Sequence, residues 1–537
     1  MRGSVHVWLG VVAAAAAGCL PATSHQCETS DQCGAAGTCE ASGACSFPAT
    51  DCPSGRRFGD GTGPLAGQCV TESPGLDAAA IDPDAAPTTD GAGADAAPVV
   101  PWGDGHHGNL TVNLAQAQIN SYGFVREDAA VGALMITATR NSGATVGTWN
   151  DNFEPGDRIM LWRTTGLADP ATSGSVVALS LTGDIGRWFV TRVVARVADR
   201  ITLADPLPFG CPADLTQVIK LPELDVATVL DGNTVFTPDW GGQWGGLVGF
   251  YANQLVLDGA TIDAGSDGFG GGNAENASDF YDCAALDGRS QSGGGARKGE
   301  SFVPARYGSS DVASGRGNIF HGGGGGDCHN AGGGGGAGVG GGGRGGNDAD
   351  GRAVGGMPGV GLRYAPSTHL AMGGGGGAGE DNATTAGIGG WSGGVVWLMA
   401  RTITCLNGAT IDAGGGSGGS HPDDGPGGGG GGGLIWIRAE TISGCDLRAR
   451  GGAGGSTLGA HGPGGGGGGG RVVIVADTAT GITTSVTGGA SGDNGTSANG
   501  AAAGQVGSVC GNGTLEPGET CDDGNFRGGD ACTYCVE

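Results

Sequence analysis

The stretch LIWIRAETISGCDLRARGG, which begins at Leu434, decides the fold because similar stretches recur elsewhere in the chain. The related stretches begin at Leu247, Val395 and Arg471. In the last three copies the aligned alanines lie 39 and then 37 residues apart, at Ala400, Ala439 and Ala476. A recurring spacing of this length is the sequence signature of a repeat protein.

Side chains alternate between the two faces of a β-strand. One face of the copy at Leu434 is apolar, with Ile435 and Ile437, whereas the other carries Trp436 and Arg438. Each repeat can bury its apolar face only by stacking on its neighbours. The pattern predicts a mainly β fold, a right-handed parallel β-helix or solenoid-like stack over residues 241–505, with the mixed face partly exposed.

Glycine supplies 122 of the 537 residues, and much of it lies in runs such as 427–433 and 464–470, each directly before a strand. A flexible linker is one interpretation, because glycine loses the most entropy on ordering. An ordered layer of extended polyglycine segments is the other, because bare backbones can pack closely. Recurrence at the same point of consecutive repeats favours order. The predicted polyglycine-rich turns resemble layers in some phage tail-tip adhesins.

Residues 105–240 contain short runs of β-branched and aromatic residues, such as RIMLWR and RWFVTRVVARVADRITL, separated by Gly, Asp, Asn and Pro. These runs predict strands, and we interpret the region as a β-rich N-terminal cap that supplies the opening turns of the stack. Residues 71–104 are rich in Ala, Asp and Pro and contain no Lys or Arg. That composition predicts an extended, self-repelling linker.

Residues 1–18 have the features of a secretion signal, with one basic residue, Arg2, and an apolar stretch too short to span a bilayer. The sequence Ala16-Ala17-Gly18-Cys19 resembles a bacterial lipobox, in which the signal is cut before the cysteine and Cys19 is lipidated. An Ala-x-Ala cleavage site is the alternative. Lipidation predicts attachment to a membrane through the N-terminus, and everything after Cys19 is expected outside the cytoplasm.

Two short segments at the ends of the chain, 19–70 and 510–537, are rich in cysteine and poor in large apolar residues. Their cysteines are Cys27, Cys33, Cys39, Cys45, Cys52 and Cys69, and then Cys510, Cys521, Cys532 and Cys535. Even-numbered clusters of this kind predict small disulfide-rich modules in an exported protein. Zinc binding is the alternative for the pair Cys532 and Cys535, and spacing alone does not determine the disulfide pairing.

The last 28 residues, CGNGTLEPGETCDDGNFRGGDACTYCVE, begin at Cys510. With their C-G-N-G, E-x-G-E-x-C-D-D-G-N and C-x-x-C elements, they closely resemble the disulfide repeat abundant in exported proteins of myxobacteria. The sequence departs from the usual G-D-G-C at Ala531. The resemblance implies an extracytoplasmic lipoprotein of the outer membrane or cell surface, and it implies no known activity.

The charge balance excludes one class of partner. Asp and Glu number 53 against 26 Lys and Arg, a formal net charge of −27, so the chain would repel nucleic acid. No glycine run is followed by the Lys-Ser/Thr of a phosphate-binding loop, which argues against a nucleotide site. We expect no organic cofactor.

Three groups of residues have metal-binding or acid chemistry. The C-terminal carboxylates could bind calcium through hard oxygen ligands, with a solvated acidic loop as the alternative; they are Glu516, Glu519, Asp522, Asp523 and Asp530. The motif HGGGGGDCHN contains His321, Asp327, Cys328 and His329, and we interpret it as a turn with a disulfide cysteine. Asp423 and Asp424, before Gly-Pro, are typical of a turn rather than of paired catalytic carboxylates.

Two functions remain. The first is a non-enzymatic structural or adhesive role at the cell surface, with a surface polysaccharide or another cell as partner. Its candidate glycan-stacking residues are Trp391, Trp397 and Trp436. The alternative is a polysaccharide lyase or hydrolase on a β-helix scaffold, which rests on analogy between folds.

Overall fold

The computed structural model describes residues 102–147, 152–167, 183–273, 295–303, 314–348, 350–381, 386–516 and 519–526, the single residues 149 and 532, and parts of 30–70. It divides into two compact units, Met1–Ala96 and Ala97–Glu537. The predicted signal peptide, Cys19 and most of the predicted linker lie outside the described residues.

The first unit is a small antiparallel sheet held by disulfides. A short 3-10 helix at Ser30–Cys33 precedes β1 (Thr38–Cys39), β2 (Cys45–Pro48) and β3 (Arg56–Phe58), which pair in that order. Disulfides join Cys33 to Cys45 and Cys52 to Cys69. Strands this short bury little apolar surface, so covalent links supply the stability that a core would otherwise provide.

The second unit contains the remaining strands. They are β4 (Leu110–Val112), β5 (Gln116–Gln118), β6 (Ser121–Val125), β7 (Met135–Ser142), β8 (Arg158–Arg163), β9 (Trp188–Val197), β10 (Arg200–Leu203), β11 (Thr216–Lys220), β12 (Glu223–Val229), β13 (Thr234–Phe236), β14 (Leu247–Asp258), β15 (Thr261–Asp263), β16 (Val395–Leu406), β17 (Thr410–Asp412), β18 (Leu434–Ser443), β19 (Asp446–Arg448), β20 (Arg471–Thr480), β21 (Thr483–Ser485) and β22 (Ser508–Cys510).

Two parallel sheets run through this unit. The longer strands form a seven-stranded sheet in the order β22-β20-β18-β16-β14-β12-β4, and the shorter ones a six-stranded sheet in the order β21-β19-β17-β15-β13-β5. The pairing places Ala252, Ala400, Ala439 and Ala476 side by side. The alignment of the repeats is therefore confirmed, together with the mainly β, parallel character of the fold.

The core lies between the apolar faces of these sheets. The long strands contribute side chains such as Leu398 and Ile437, and the short strands contribute Ile411 and Leu447, all fully buried. A tight turn links each long strand to its short one; in the turn after β16, Asn407 and Gly408 both adopt positive φ. Because the same positions meet in each repeat, one apolar row extends along the stack.

A closed six-stranded barrel is inserted between β5 and β12. Strands β6 to β11 pair antiparallel in the order β10-β7-β6-β11-β8-β9, around a core that includes Phe153, Leu161 and Phe209. The predicted strands of the cap region are thus divided: β4, β5, β12 and β13 join the parallel sheets, and the others form the barrel. Strand propensity does not distinguish these two outcomes, because it does not specify the partner of a strand.

The mixed face of the long strands is buried where we expected partial exposure. Trp397 is fully buried and Trp436 is 3% exposed, and their rings stack at 5.3 Å. Trp188 of the barrel strand β9 meets both rings edge-on. On this face, side chains become exposed to solvent only further along the strands, at Arg401 and Arg438. The barrel and the glycine-rich layer therefore cover the first half of the second face, which alternation within a strand could not reveal.

The glycine runs form an ordered bundle of extended segments. Successive N–H groups of the run at 427–433 donate to three different neighbouring segments: Gly430 to the carbonyl of Gly416 (2.8 Å), Gly431 to that of Gly374 (2.9 Å) and Gly432 to that of Gly468 (2.8 Å). The partners then recur, since Gly427 and Gly433 donate to the same segment as Gly430. This three-residue repeat matches the three residues per turn of a polyproline II helix.

The bundle requires glycine because its segments touch on several sides. A Cβ added at Gly429, Gly430 or Gly467 would come closer than 3.0 Å to a neighbouring backbone atom, nearer than real Cβ atoms approach. Every residue of the run at 427–433 is also buried. The ordered alternative for the glycine runs is therefore confirmed, and the flexible-linker alternative is wrong for these segments.

Candidate functional site

A cleft of about 280 Å³ opens beside Trp240 and Trp391. Its other lining residues are Gly241, Gly242, Gly271, Asn273 and Glu300. Ligand pockets in proteins typically measure roughly 300–1,000 Å³, so this Trp240–Trp391 cleft has room for a small group such as a sugar ring. Its walls are aromatic and its polar groups are few, as in many sites that bind small molecules.

Trp240 is fixed on three sides. Its indole N–H donates to Oε1 of Glu300 at 3.2 Å, and its backbone N–H donates to the carbonyl of Asp267 at 2.8 Å. Its ring meets Phe269 edge-on, with 5.8 Å between centroids. Trp240 is therefore a rigid wall of the cleft rather than a mobile flap.

Trp391 supplies the exposed aromatic surface. The residue is 36% exposed, while its backbone belongs to a segment of the glycine bundle. Its carbonyl accepts a hydrogen bond from Gly416 at 2.7 Å. The residues on both sides, Gly390 and Ser392, are buried. The bundle thus holds the backbone of an accessible indole ring, and the role of Trp391 in glycan stacking stays a prediction.

The same prediction is wrong for Trp397 and Trp436. Their rings cover each other and are enclosed by Trp188, Tyr251 and other members of one buried cluster. A sugar could reach these rings only if the barrel separated from the sheet. Their role in this conformation is to join the sheet to the barrel through aromatic packing.

Glu300 is the polar centre of the cleft. Oε1 accepts the hydrogen bond from Trp240, and Oε2 accepts one from the backbone N–H of Gly270 at 3.0 Å. Burial raises the pKa of Glu300 to about 7, against the lowering effect of these two bonds. Both carboxyl oxygens keep a further lone pair for a ligand hydroxyl or ammonium group.

A pair of aspartates, Asp239 and Asp267, lies beside Trp240. Burial, followed by the charges of Asp263 and Asp239, raises the pKa of Asp267 to about 9. Asp239 acts on Asp267 both through a side-chain hydrogen bond and through its charge. Asp239 precedes Trp240 in the chain and is exposed.

The predicted calcium-binding residues at the C-terminus use many of their oxygens within their own loop. Oε2 of Glu516 accepts the N–H of Val509 at 2.7 Å, and Oε2 of Glu519 accepts the N–H of Glu516 at 3.0 Å. Asp522 accepts backbone N–H groups at both oxygens and Asp523 accepts one, while Asp530 lies outside the described residues. Calcium binding at this loop stays a prediction.

The cysteines indicate an oxidising compartment. Besides the two disulfides of the first unit, Cys521 pairs with Cys532, which leaves no Cys532 thiolate for zinc. Cys405 pairs with Cys445 and links neighbouring repeats. Cys39, Cys328 and Cys510 are also disulfide-bonded, whereas Cys27 and Cys535 lie outside the described residues. In the described part of the chain, no helix combines the length and apolar character that crossing a membrane requires.

The motif HGGGGGDCHN does not assemble a metal site from its own residues. His321 is fully buried against the rings of Phe302 and Phe269, and burial lowers its pKa to about 3. His329 lies near Asp350, 3.2 Å from Nδ1 to Oδ2. Arg352 pairs with Asp350 and with neighbouring Asp348, so this group is a turn held by ion pairs.

A second histidine and carboxylate group ties the barrel to the sheet. Nδ1 of His107 accepts the N–H of Glu223 at 3.0 Å, and its Nε2 lies 3.5 Å from Asp157. Asp157 also pairs with buried Lys220 at 2.7 Å. Burial alone would raise the pKa of Asp157, but the bonds from His107 and Lys220 lower it. Both nitrogens of His107 are thus engaged in structure.

Asp424 belongs to a buried acidic group at the bundle rather than to a catalytic pair of adjacent aspartates. It is 1% exposed and lies close enough to Glu380 to affect its ionisation, as do Asp381 and Asp327. Burial first, and then these three carboxylates, raise the pKa of Glu380 to about 8, although the N–H of Asn330 donates to it at 2.6 Å.

The sequence predicts one residue of the cleft, Trp391, but not Trp240 or Glu300. Trp240 stands in DWGGQWGG, where paired glycines follow each tryptophan and signal a turn. Glu300, in GGGARKGESF, is an isolated acid in the glycine-rich insertion. Neither feature indicates a shared site, because the three residues lie far apart in the chain and only the bundle brings them together.

No protein-family model matches the chain, and no curated protein matches it. Similar solved structures include the tailspike protein gp49 from Pseudomonas phage LKA1, at 10% identity and a TM-score of 0.12, over 68% of this chain and 60% of that one. Another is the tailspike gp61 from Pseudomonas phage phi297, at 9% identity and a TM-score of 0.13, over 71% and 61%. The chain spans about three fifths of each tailspike. At these TM-scores neither likeness supports a conclusion on fold or function.

Proposed function

We propose that this is an exported cell-surface protein that binds polysaccharide in the Trp240–Trp391 cleft and does not cleave it. The observation that carries the proposal is the exposed ring of Trp391 beside the buried carboxyl of Glu300, in a concave site with a hydrogen-bonded backbone. Aromatic faces pack on apolar sugar faces, and carboxylates accept bonds from hydroxyl groups.

The scaffold and the anchor complete the proposal. We take the two in-register parallel sheets as a right-handed parallel β-helix, a solenoid whose rigid turns carry the cleft. Lipidation of Cys19 would attach the mature chain to the outer membrane or cell surface, with the linker at 71–104 between anchor and stack. Replacing Cys19 by serine should move the protein from the membrane fraction to the soluble fraction, whereas unchanged fractionation would exclude lipid anchoring.

The binding experiment uses the oxidised, secreted protein on columns carrying a panel of polysaccharides, with retention as the readout. The variant Trp391→Ala should reduce retention about tenfold, because the main stacking surface is removed. Leu458→Ala is the matched control, since Leu458 is 61% exposed and does not line the cleft. Equal retention of both variants would exclude the cleft as the binding site.

Polysaccharide cleavage is the second candidate, and the raised pKa of Glu300 favours it, because a carboxylic acid with a pKa of about 7 suits general acid catalysis. The samples of the retention experiment distinguish the two functions if new reducing or unsaturated ends of the polysaccharide are also measured in them. Release of such ends that is abolished in Glu300→Gln would replace the binding proposal by the enzymatic one. Retention without new ends supports binding alone.

A further inference from the structure

Two buried oxygen atoms beside the glycine runs have no hydrogen-bond partner among the described residues. They are Oδ1 of Asn330 and Oε1 of Glu380. Asn330 is 3% exposed and Glu380 is fully buried. The other oxygen of Glu380, Oε2, accepts the N–H of Asn330 at 2.6 Å, so the two residues are neighbours. Native proteins rarely leave buried oxygens unpaired, and such a pair of atoms calls for a partner such as a water molecule or an ion.

Asp424 is held next to this pair by the residues on both sides of it. The carbonyl of Asp423 accepts a hydrogen bond from Nδ2 of Asn330 at 3.2 Å, and the N–H of Gly425 donates to the carbonyl of Glu380 at 2.9 Å. Asp424 itself is 1% exposed, and its charge acts on Glu380. Three separate segments of the chain therefore bring an amide oxygen and two carboxyl groups to one buried place.

The charge of this group favours a cation over a water molecule. In the part of the chain that the structure describes, Glu380 makes no ion pair with Lys, Arg or His. His421 places Nδ1 at 3.7 Å from Oδ2 of Asp424, but this nitrogen accepts the N–H groups of Asp423 and Asp424 and so presents a lone pair rather than a proton. A water molecule can donate to the two oxygens, but it leaves a buried carboxylate without a counter-charge, which is unfavourable. Without a cation, such a carboxyl group takes up a proton instead.

The type of ligand atom identifies the cation. Carboxylate and amide oxygens are ligands of calcium, which takes about six to eight oxygens in flexible geometry. We propose that Oε1 of Glu380, Oδ1 of Asn330 and the carboxylate of Asp424 bind a calcium ion, with water and backbone carbonyls as its remaining ligands. One ion then joins three segments that pack with the glycine bundle, and its binding stabilises the folded chain. Calcium-binding modules outside cells have dissociation constants of roughly 0.1–1 mM, which we also expect here.

Equilibrium dialysis of the oxidised protein against about 2 mM calcium counts the bound ions, in physiological salt that screens weak binding at exposed acids. Glu380→Gln keeps the size of the side chain and one oxygen but removes the charge. It should retain about one calcium ion fewer per chain than the parent. Asp523→Asn is the matched control, because Asp523 belongs to the acidic C-terminal loop. The ion that depends on Glu380 should remain in this variant.

Thermal unfolding supplies a readout that does not depend on counting ions. Each variant is compared with itself, in calcium and in EDTA, so that differences in the stability of the metal-free chains do not enter. Calcium should raise the melting temperature of the parent and of Asp523→Asn by about 2 °C more than that of Glu380→Gln. Magnesium at the same concentration should have a smaller effect, because it gives up its water ligands reluctantly.

The outcomes separate this site from calcium binding elsewhere. Equal numbers of bound ions and equal temperature shifts in the parent and in Glu380→Gln would overturn the site, as would a parent that binds no calcium. An equal shift with magnesium would overturn the assignment to calcium. Near-ultraviolet circular dichroism verifies that the variants are folded. If Glu380→Gln does not fold, Asp424→Asn takes its place and should lose the same ion, and full retention of that ion would again overturn the proposal.

Discussion

Replacing Gly430 by alanine tests the polyglycine bundle most directly. Gly430 lies in the middle of the run at 427–433, and its added Cβ would meet the carbonyl group of Trp391 closer than 3.0 Å. That carbonyl accepts the N–H of Gly416 at 2.7 Å, and the N–H of Gly430 donates to the carbonyl of Gly416 at 2.8 Å. A methyl group at this point must therefore separate two hydrogen-bonded segments.

The magnitude follows from three contributions. Inserting a methyl group into a packed interior costs about 1–3 kcal/mol. Weakening one or two hydrogen bonds costs about 0.5–1.5 kcal/mol for each bond. Alanine offsets part of this by about 0.4–1 kcal/mol, because it restricts the unfolded chain. We expect Gly430→Ala to lower the free energy of unfolding by about 2–4 kcal/mol.

Urea unfolding of the oxidised protein, followed by tryptophan fluorescence, measures this loss as a lower midpoint at unchanged slope. Gly341→Ala is the control within the same bundle, since its Cβ meets only the side chain of Gln505, at 3.1 Å from Oε1. That flexible side chain can move, so the control should change the free energy by less than about 1 kcal/mol. Equal, small losses for both variants would refute the close packing of the segments.

Three other predictions concern stability. The pKa of Glu380 is raised from 4.5 to about 8 by burial, so the stability that its protonated form contributes is complete below about pH 4.5 and lost as the pH rises to about 8. Glu380→Gln should therefore raise the unfolding free energy at pH 8 by about 4 kcal/mol and leave it nearly unchanged at pH 4; denaturation at both values measures this, and an equal effect at both would contradict it. Replacing Cys405 and Cys445 by alanine opens a link across 40 residues and should cost about 3–4 kcal/mol; a melting temperature equal to that of the parent would disprove a structural role. Trp397→Ala should lower the free energy of unfolding by about 3–5 kcal/mol, whereas Trp391→Ala, at an exposed residue, should lower it by less than about 1 kcal/mol. The reverse order would contradict the burial of Trp397 and the exposure of Trp391.

The sequence was sufficient to predict the repeated strands and the order of the glycine runs, but not the barrel that packs against them. Ala400, Ala439 and Ala476 could be aligned because parallel in-register strands place equivalent residues side by side, so the repeat in the sequence is also a repeat in space. The order of the glycine runs followed from the same periodicity. The closed barrel could not be predicted, because its strands differ from stack strands in their partners and not in their composition.

The candidate site shows the same limit. An alternating pattern places Trp397 and Trp436 on one face, but burial depends on what covers that face, which here includes Trp188 from a distant strand. Trp391 is one of the three tryptophans for which the sequence predicts glycan stacking, and nothing in the pattern separates it from the two buried ones. Its partners Trp240 and Glu300 could not be associated with it, because their meeting depends on how the glycine segments pack.

The glycine bundle also has a consequence for durability outside the cell. Most proteases select their substrates by side chains and bind them as extended strands through free backbone groups. The run at 427–433 presents hydrogen in place of side chains, and its N–H groups are occupied by neighbouring carbonyls. A composition that would make a free chain an easy target for digestion thus gives, in this packing, a buried backbone with neither side chains nor free N–H groups for a protease subsite to bind.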